Sequence, residues 1–431
     1  MIAIDDQSIA NLGRWPWSRE LHARMADLLA KAPAKVIGNT VFFSEAQIDP
    51  GYAYITRLID IVSQPVEEGA TVYPEAEKIA AVLAEAETSL NTDRRLAESY
   101  TRAGTVVLPV LFGLGETQGR PDKQLPDFVA KNRLSQVVEG GGFALPAGDV
   151  QMPIEQLGTS ALAVGHLNST PDIDGGVRSE PLVLRYFDQY YPSFSLMLAA
   201  RSLNLGPGAV RVRLGEEVQL GSLVIPTDSA TRMSTFFYGA SEGHQAFPVD
   251  SFYDVLSGKI PVSKYEGKIV LIGATAAGVG SPQVTPVSPS MAPVLTLAHT
   301  VSSILQEHFF VTPTWGLLAS LGAMLLVGLY LMFGLPRLGA GMGALATFLL
   351  GGILLGTHFG LMLGVGMWLQ LMAALSLLLV GHLLLTTKRF LLVERGKEKS
   401  ELESAESNRM LGLAFQGQGQ LDMAFDKFRK C

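Results

Sequence analysis

The chain is nearly without cysteine. Among 431 residues the only one is Cys431, the last. A folded head built from the rest has no disulfide and must hold together through its core alone, which suits a bacterial periplasm or cell surface. Positive charge is also scarce, with 33 Lys and Arg against 40 Asp and Glu, a net charge of −7. No basic stripe lies outside the C-terminal tail, which argues against nucleic acid as a partner. Residues His22, His166, His244, His299 and His308 are scattered without metal-ligand spacing, so neither zinc nor any other cofactor is expected. There is no Gly-x-Ser-x-Gly elbow and no converging nucleophile and base, so this chain is not expected to be an enzyme. A leader is missing as well: Met1 runs straight into Ile2, Ala3, Ile4 and Asp5, a strand already in progress. A large head ahead of a membrane segment needs an upstream signal or anchor to be exported, so a preceding hydrophobic segment is expected before Met1.

What the chain has in quantity is apolar sequence, 48% of it by composition. Three long runs, 315–333, 338–357 and 361–385, carry only Arg337 as a full charge between the first and the last. Each is long enough to cross a bilayer as a helix, so the lipid bilayer is the first partner to assign. Arg337 lies between the first two runs, and Lys388, Arg389, Arg395, Lys397 and Lys399 follow the third. The connection near His358 and Gly360 and the approach from His299 to Thr314 have no Lys or Arg. The positive-inside rule then places the Arg337 turn and the C-terminus in the cytoplasm and residues 1–310 outside, in a bacterial inner membrane. Gly339 and Gly343, Gly352 and Gly356, and Gly360 and Gly364 sit at the spacing that lets helix backbones touch in lipid. They are expected to pack the three helices of one chain, with a homodimer as the second reading. His382, in the third run, is expected to reach the interface rather than serve a proton path.

The head reads as α/β. A strand at Ile2 to Ile4 and a helix capped by Ser18, with Leu21, Met25, Leu28 and Leu29 on one face, precede a strand from Lys35 to Phe43. That order predicts a parallel pair joined by a crossover. An amphipathic helix over Pro74 to Leu90, marked by Ile79, Val82, Leu83 and Ala86, and a helix from Asp93 to Gly104 follow, then a buried strand from Thr105 to Phe112. Gly113 to Gly148 is expected to be mostly loop, with a short helix near Phe128. Strands are predicted at Ala161 to Leu167, Val183 to Phe187 and Lys268 to Gly273, and helices at Pro192 to Asn204 and Phe247 to Ser257. The result is an α/β domain with a mixed, largely parallel sheet, followed by an all-α three-helix transmembrane unit.

Several groups have a recognisable order: Ile4-Asp5-Asp6, Gly13-Arg14-Trp15-Pro16-Trp17 with Arg19, Phe43-Ser44-Glu45, Gly165-His166 with Asn168, Asp174-Gly175 with Arg178 and Pro181, and Ile269 to Ala274. With three spans behind it, the chain resembles the CHASE sensory domains of the second type, the cyclase- and histidine-kinase-associated sensory extracellular domains, over Met1 to about Thr387. The resemblance implies a bacterial receptor whose extracytoplasmic domain senses an unidentified ligand and passes the signal to a cytoplasmic output. Thr40 stands where such domains often carry an acidic residue. Residues 388–407 read as a charged cytoplasmic linker helix. In 408–431, Leu411, Gly412, Phe415, Gly419, Leu421, Ala424 and Phe428 are similar to the start of a tetratricopeptide repeat, with Asn408 where a tryptophan is usual. Among relatives this order looks most like receptor-type serine/threonine protein kinases. A membrane-anchored extracytoplasmic enzyme and a dimerisation scaffold for a kinase or cyclase are the alternatives.

The resemblance and the residue types together give the candidate sensing residues Asp5, Asp6, Arg14, Trp15, Trp17, Arg19, Glu45, His166, Asn168, Asp174 and Arg178. Asp5, Asp6 and Glu45 end strands, where ligands collect in open α/β sheets; the competing reading is that they cap the next segment or pair with Arg14 or Arg19. Asp172 and Asp174 before Gly175 suggest part of a calcium loop, but the closing glutamate would fall at Pro181, so a turn locked by Arg178 fits better. Gly273 to Gly280 lacks the lysine and hydroxyl of a nucleotide loop and reads as a tight strand exit. Trp15 and Trp17 straddle Pro16 and suit core or domain-dimer packing better than a pocket wall.

Overall fold

The computed structural model describes residues 1–47, 50–63, 76–117, 119, 124–239, 246–313 and 315–430. Cys431, His244, Pro74 and Thr314 lie outside them. The chain divides into two compact units, Met1–Val311 and Thr312–Cys431.

The first unit is organised by a nine-stranded sheet. Its strands are β1 (Ile2–Ile4), β2 (Val36–Asn39), β3 (Val106–Leu114), β4 (Leu145–Gln151), β5 (Ala163–His166), β6 (Val183–Tyr186), β7 (Gln189–Pro192), β8 (Asp250–Ser251) and β9 (Ile269–Ala274). They run in the order β8-β1-β9-β2-β3-β4-β6-β7, with β5 also paired to β3. The strands β8, β1, β9, β2, β3 and β5 form a continuous parallel core. The far half of β3 turns antiparallel to β4, which pairs with β6 and, through it, β7. The sheet is therefore mixed and largely parallel.

Alternation along the central strands explains the layering. Ile2, Ile4, Ile37, Val106, Leu108, Val270 and Ile272 point to one face, into a core shared with Met25 and Leu29 of α2 (Arg19–Lys31) and Leu96 of α3 (Thr92–Ala103). That core lies close to α1 (Asp6–Leu12), whose Ile9 and Leu12 pack against it. Val36, Val107 and Leu271 point to the other face, against Phe194, Met197 and Leu198 of α4 (Phe194–Ser202) and Val294, Leu297 and Val301 of α5 (Pro293–Gln306). Strands covered on both faces read as unbroken apolar runs, which is why they are visible in the sequence. Each buried Val, Leu or Ile side chain contributes about 1.5–3 kcal/mol relative to exposure, and with no disulfide among the described residues this burial is the main stabilising term.

The structure departs from the sequence reading in several places. The strand expected over Lys35 to Phe43 stops at Asn39, whose side chain accepts from the Val41 amide (3.1 Å) and donates to the Tyr100 hydroxyl (2.9 Å), drawing the chain out of the sheet. β1 and β2 are parallel but not neighbours, because β9 pairs with both. Within Gly113 to Gly148, strands form at Gln136–Val138 and in β4, and a short helix at Asp127–Ala130. The Gln136–Val138 strand belongs to a second, four-stranded sheet with Val210–Arg213, Glu217–Leu220 and Leu223–Pro226. The helix expected over Phe247 to Ser257 is reduced to Phe252–Leu256, since Asp250–Ser251 is edge strand β8. A helix at Pro50–Val62 was not foreseen. In the next helix, Ala76–Leu90, Leu83 is buried while Ile79 and Val82 remain 50% and 63% exposed.

The second unit contains α6 (Gly316–Leu329), α7 (Ala340–Val365), α8 (Met372–Gly417) and α9 (Leu421–Phe428). Three helices, Gly316–Arg337, Ala340–Val365 and Met372–Gly417, are long and apolar enough to cross a membrane. α7 continues through His358 and Gly360, where a connection was expected, and ends at Gly366, which takes the left-handed conformation (φ 66°) that glycine adopts without strain. The Tyr330 hydroxyl donates to the Gly343 carbonyl of α7 (3.1 Å) and lies 2.9 Å from Thr347 Oγ1, which lies 2.8 Å from Nδ1 of His382. His382 thus ties helices together within the bundle instead of reaching outward. The expected glycine packing holds only in part. A Cβ on Gly343 would meet Leu335, but one on Gly339, Gly352, Gly356, Gly360 or Gly364 would meet nothing within 4 Å. α9 folds back on α8, with Phe428 against Gly412.

Close approach of backbones makes Gly165 in β5 a sensitive position. A Cβ there would sit 2.7 Å from the Phe194 Cα and 2.8 Å from the Ser193 carbonyl oxygen, atoms that cannot swing aside. Gly165→Ala is expected to cost about 1–3 kcal/mol, as overpacking does. Gly141→Ala, which meets nothing within 4 Å, serves as the control and is expected to stay within ~0.5 kcal/mol. Thermal unfolding of the two variants checks the pair, and equal melting temperatures would overturn the packing described for α4.

Candidate functional site

The parallel core of an open α/β sheet presents its carboxyl ends on one edge, where ligands collect. Here that edge carries a cavity of about 510 Å³, within the range of small-molecule sites. Its floor comes from the strand ends: Thr40 after β2, Ala274 closing β9, Leu111 in β3, and Leu167 and Asn168 after β5. One wall is the first turns of α5, with Pro293, Val294, Thr296, Leu297 and Thr300. The opposite wall is Val177, Ser179 and Glu180, with Thr235 beside them and Gly280, Ser281 and Gln283 at the rim.

The ionisable group of this cavity is Glu180. It keeps part of its surface accessible while the neighbouring Ser193, Ser195 and Thr300 are buried. Its carboxylate accepts from Ser195 Oγ, with the Ser193 and Thr300 hydroxyls also alongside. Burial outweighs those hydrogen bonds and pushes the carboxyl up to about 7. Thr235 and Thr300 hydroxyls lie 3.1 Å apart on the same wall. Several buried polar atoms around the cavity have no hydrogen-bond partner among the described residues: Thr296 Oγ1, Ser169 Oγ and Gln283 Oε1. Buried polar atoms without a partner are costly to the fold.

Of the eleven residues singled out from sequence, only Asn168 lines this cavity. Its amide clamps β3, accepting from the Phe112 N–H (3.0 Å) and donating to the Phe112 carbonyl (2.6 Å). His166 is buried in the core, where desolvation holds it down to about 3, and both ring nitrogens lack a partner among the described residues. Asp5 caps α1, accepting from the Ser8 amide (2.8 Å) and the Ser251 hydroxyl (2.9 Å), while Asp6 accepts from the Ala277 amide (3.2 Å). The capping reading of this pair is the one the geometry favours. Arg19 does not pair with either: it bonds Asp93 (3.0 Å) and the Glu45 carbonyl (2.8 Å) and lies over the Phe43 ring. Arg14 and the Glu45 side chain are exposed. Trp15 and Trp17 pack edge to face at 5.2 Å, and Trp17 is buried against Phe252. Arg178 bridges Asp174 (2.6 Å) and Asp172 (2.8 Å), holding Asp174 below the usual carboxylate range first by its hydrogen bond and then by the Gly176 amide. This is a locked turn. Among the described residues, no three His, Cys, Asp or Glu side chains gather as a metal site.

Sequence reasoning missed Glu180, Gln283, Thr296 and Thr300. A usable signal existed on α5, where Thr296, Thr300 and Ser303 recur at helical spacing among Val294, Leu297, Val301 and Ile304.

The α/β head thus has a ligand-sized cavity at its strand ends, in a chain that also carries three helices long and apolar enough to cross a membrane. A family model of the CHASE2 domain matches residues 1–333, and the chain belongs to that family. CHASE2 is a sensory extracellular domain. The comparisons with curated proteins and with solved structures found no match.

Glu180 and the buried histidines pull stability in opposite directions with pH. The Glu180 carboxyl binds its proton more tightly folded (about 7) than at its ordinary value of 4.5, so the stability it contributes at acid pH is lost as pH rises through that window. His22 and His166, held down to about 3 mainly by burial, contribute stability above 6.5 that is lost as pH falls. Glu180→Gln is therefore expected to raise stability relative to wild type at about pH 8 by at most about 3 kcal/mol and to change it little at about pH 5. Thermal unfolding of the full chain in detergent at both pH values reads this, and an identical shift at the two would contradict it.

Proposed function

We propose that this chain is the input half of a bacterial transmembrane receptor. In this reading residues 1–310 lie in the periplasm and bind an extracytoplasmic ligand in the cavity at the strand ends. The three spanning helices cross the inner membrane, and the C-terminal segment meets a cytoplasmic output. The observation that carries it is the CHASE2 match over residues 1–333 in a chain with three helices fit to cross a bilayer. Its orientation is supported by Arg337 and the cluster Lys388, Arg389, Arg395, Lys397 and Lys399 on one side of the spans.

The relay rests on α8. This helix continues without a break from Met372 to Gly417, 46 residues, or roughly 69 Å at about 1.5 Å per residue. A ligand that prefers one arrangement of the head shifts the population of the bundle by its differential affinity alone, typically about 1–3 kcal/mol. The output we assign is a serine/threonine protein kinase, and the hairpin of α8 and α9 is the start of a tetratricopeptide-like connector to it. Support for that connector comes from Gly412, Ala424 and Phe428, which pack together at the hairpin. Catalysis belongs to the output and not to this chain.

Paired reporter fusions test the orientation. Alkaline phosphatase at Tyr100 is expected to be active and a fluorescent protein there dark, with the reverse at Glu398. A phosphatase active only at Glu398 would overturn the receptor reading.

A further inference from the structure

The chemistry of the cavity wall restricts what it can take. Glu180 is the only charged residue that lines it: among the described lining residues there is no Lys, Arg or His. No cation pairs with Glu180 among the described residues, whose ion pairs all lie elsewhere, and its carboxylate rests on hydroxyls alone. The partnerless atoms nearby, Gln283 Oε1, Ser169 Oγ and Thr296 Oγ1, are acceptors or can act as acceptors. Thr296 is only 8% exposed, so its free hydroxyl is a built feature of the wall and not a surface accident. Beside the neutral hydroxyls of the wall, Leu111, Leu167, Val177, Val294 and Leu297 supply an apolar surface.

One feature favours the opposite charge. α5 begins at the cavity, and a helix N-terminus carries roughly half a positive charge. Here it is weakly armed. Pro293 has no N–H, and the Leu295 and Thr296 amides are taken by the Ala292 carbonyl (2.8 and 3.3 Å). Once ionised, Glu180, which has the Thr300 hydroxyl of the same helix beside its carboxylate, outweighs what remains, and an anion entering the cavity would face it in a poorly solvated site. Among the described residues no second carboxylate, His or Cys joins Glu180 to make a metal-ligand cluster.

We infer that the cavity binds a small organic amine in its ammonium form, the charged head paired with Glu180 and bonded to Thr296 and Gln283, the apolar body against the leucines and valines. This rests on the cavity being the sensing site. An ammonium supplies several donors where the wall offers acceptors, and it gives Glu180 the cation it lacks. A neutral alcohol of the same shape offers one donor and no charge, and a carboxylate offers no donor and a charge of the wrong sign.

The test uses the purified full chain in detergent with three matched probes: 2-phenylethylamine, 2-phenylethanol and phenylacetate. Calorimetric titration and the shift in melting temperature at millimolar probe are read for each. The amine is expected to bind and stabilise, at least tenfold more tightly than the alcohol, with no response to the acid. Glu180→Gln is nearly isosteric and is expected to weaken amine binding by tenfold or more. Thr296→Val, equally conservative in shape, is expected to weaken it several-fold. A folded Glu180→Gln protein that binds the amine as well as wild type, a stronger response to phenylacetate, or no response to the amine at all would each sink the inference. The readout is blind to membrane orientation, so its failure leaves the reporter result standing, and the reverse also holds.

Discussion

The head depends on one strand pairing made across most of its length. β9, near residue 270, slots between β1 and β2, bonding Ile2 through Ile4 on one side and Val36 through Asn39 on the other. No disulfide among the described residues secures this closure. It is held by backbone bonds and by Val270, Leu271 and Ile272, which fill the cores on both faces of the sheet. The cavity follows from it. With β9 seated, Ala274 and Thr40 lie side by side at the carboxyl edge, and the chain beyond β9 must return over that edge, bringing the start of α5 to the strand ends. A Cβ on Gly273 would meet Thr40 Oγ1 and Val294, so glycine there sets how closely α5 approaches.

The wall of the cavity departs from the rule that buried polar groups are satisfied. Ser169, Thr296 and Gln283 keep atoms without partners, and Glu180 keeps a carboxylate without a cation. Away from the cavity the picture is mixed: Asp93 and Asp250 are each engaged with neighbours, while both His166 ring nitrogens, Asn132 Oδ1 and Thr227 Oγ1 also lack partners among the described residues. What sets the cavity apart is that its partnerless atoms share one wall with a carboxyl group that has no cation beside it.

How much was legible follows from the same physics. Central strands such as Val36–Asn39 and Val106–Leu114 announce themselves because both faces are buried and the sequence is apolar without interruption. Ser18 and Gly104 show as helix punctuation because capping is local, whereas the Asn91 cap went unread. The small second sheet was hidden: its strands are short, and Arg211, Arg213, Glu217 and Gln219 interrupt the apolar signal. The membrane helices were plain in existence, whereas the end of α7 was not, since His358 and Gly360 look like a connection in sequence while the fold keeps them in the helix, with His358 Nδ1 2.8 Å from the Leu369 carbonyl oxygen. The cavity was least visible, because Glu180, Thr296 and Gln283 come from separate stretches of chain that meet only in the fold. Asp5, Asp174 and Arg178 drew attention by charge, and the structure spends them on a cap and a turn.

The unbroken course of α8 sets an angular phase along its whole length. With about 3.6 residues per turn, one residue inserted after the last apolar turn would swing the hairpin around Gly412 by roughly 100° about the helix axis, while seven would nearly restore its facing. A change in the linker's length thus alters the hairpin's facing far more than its reach, which moves only about 1.5 Å per residue.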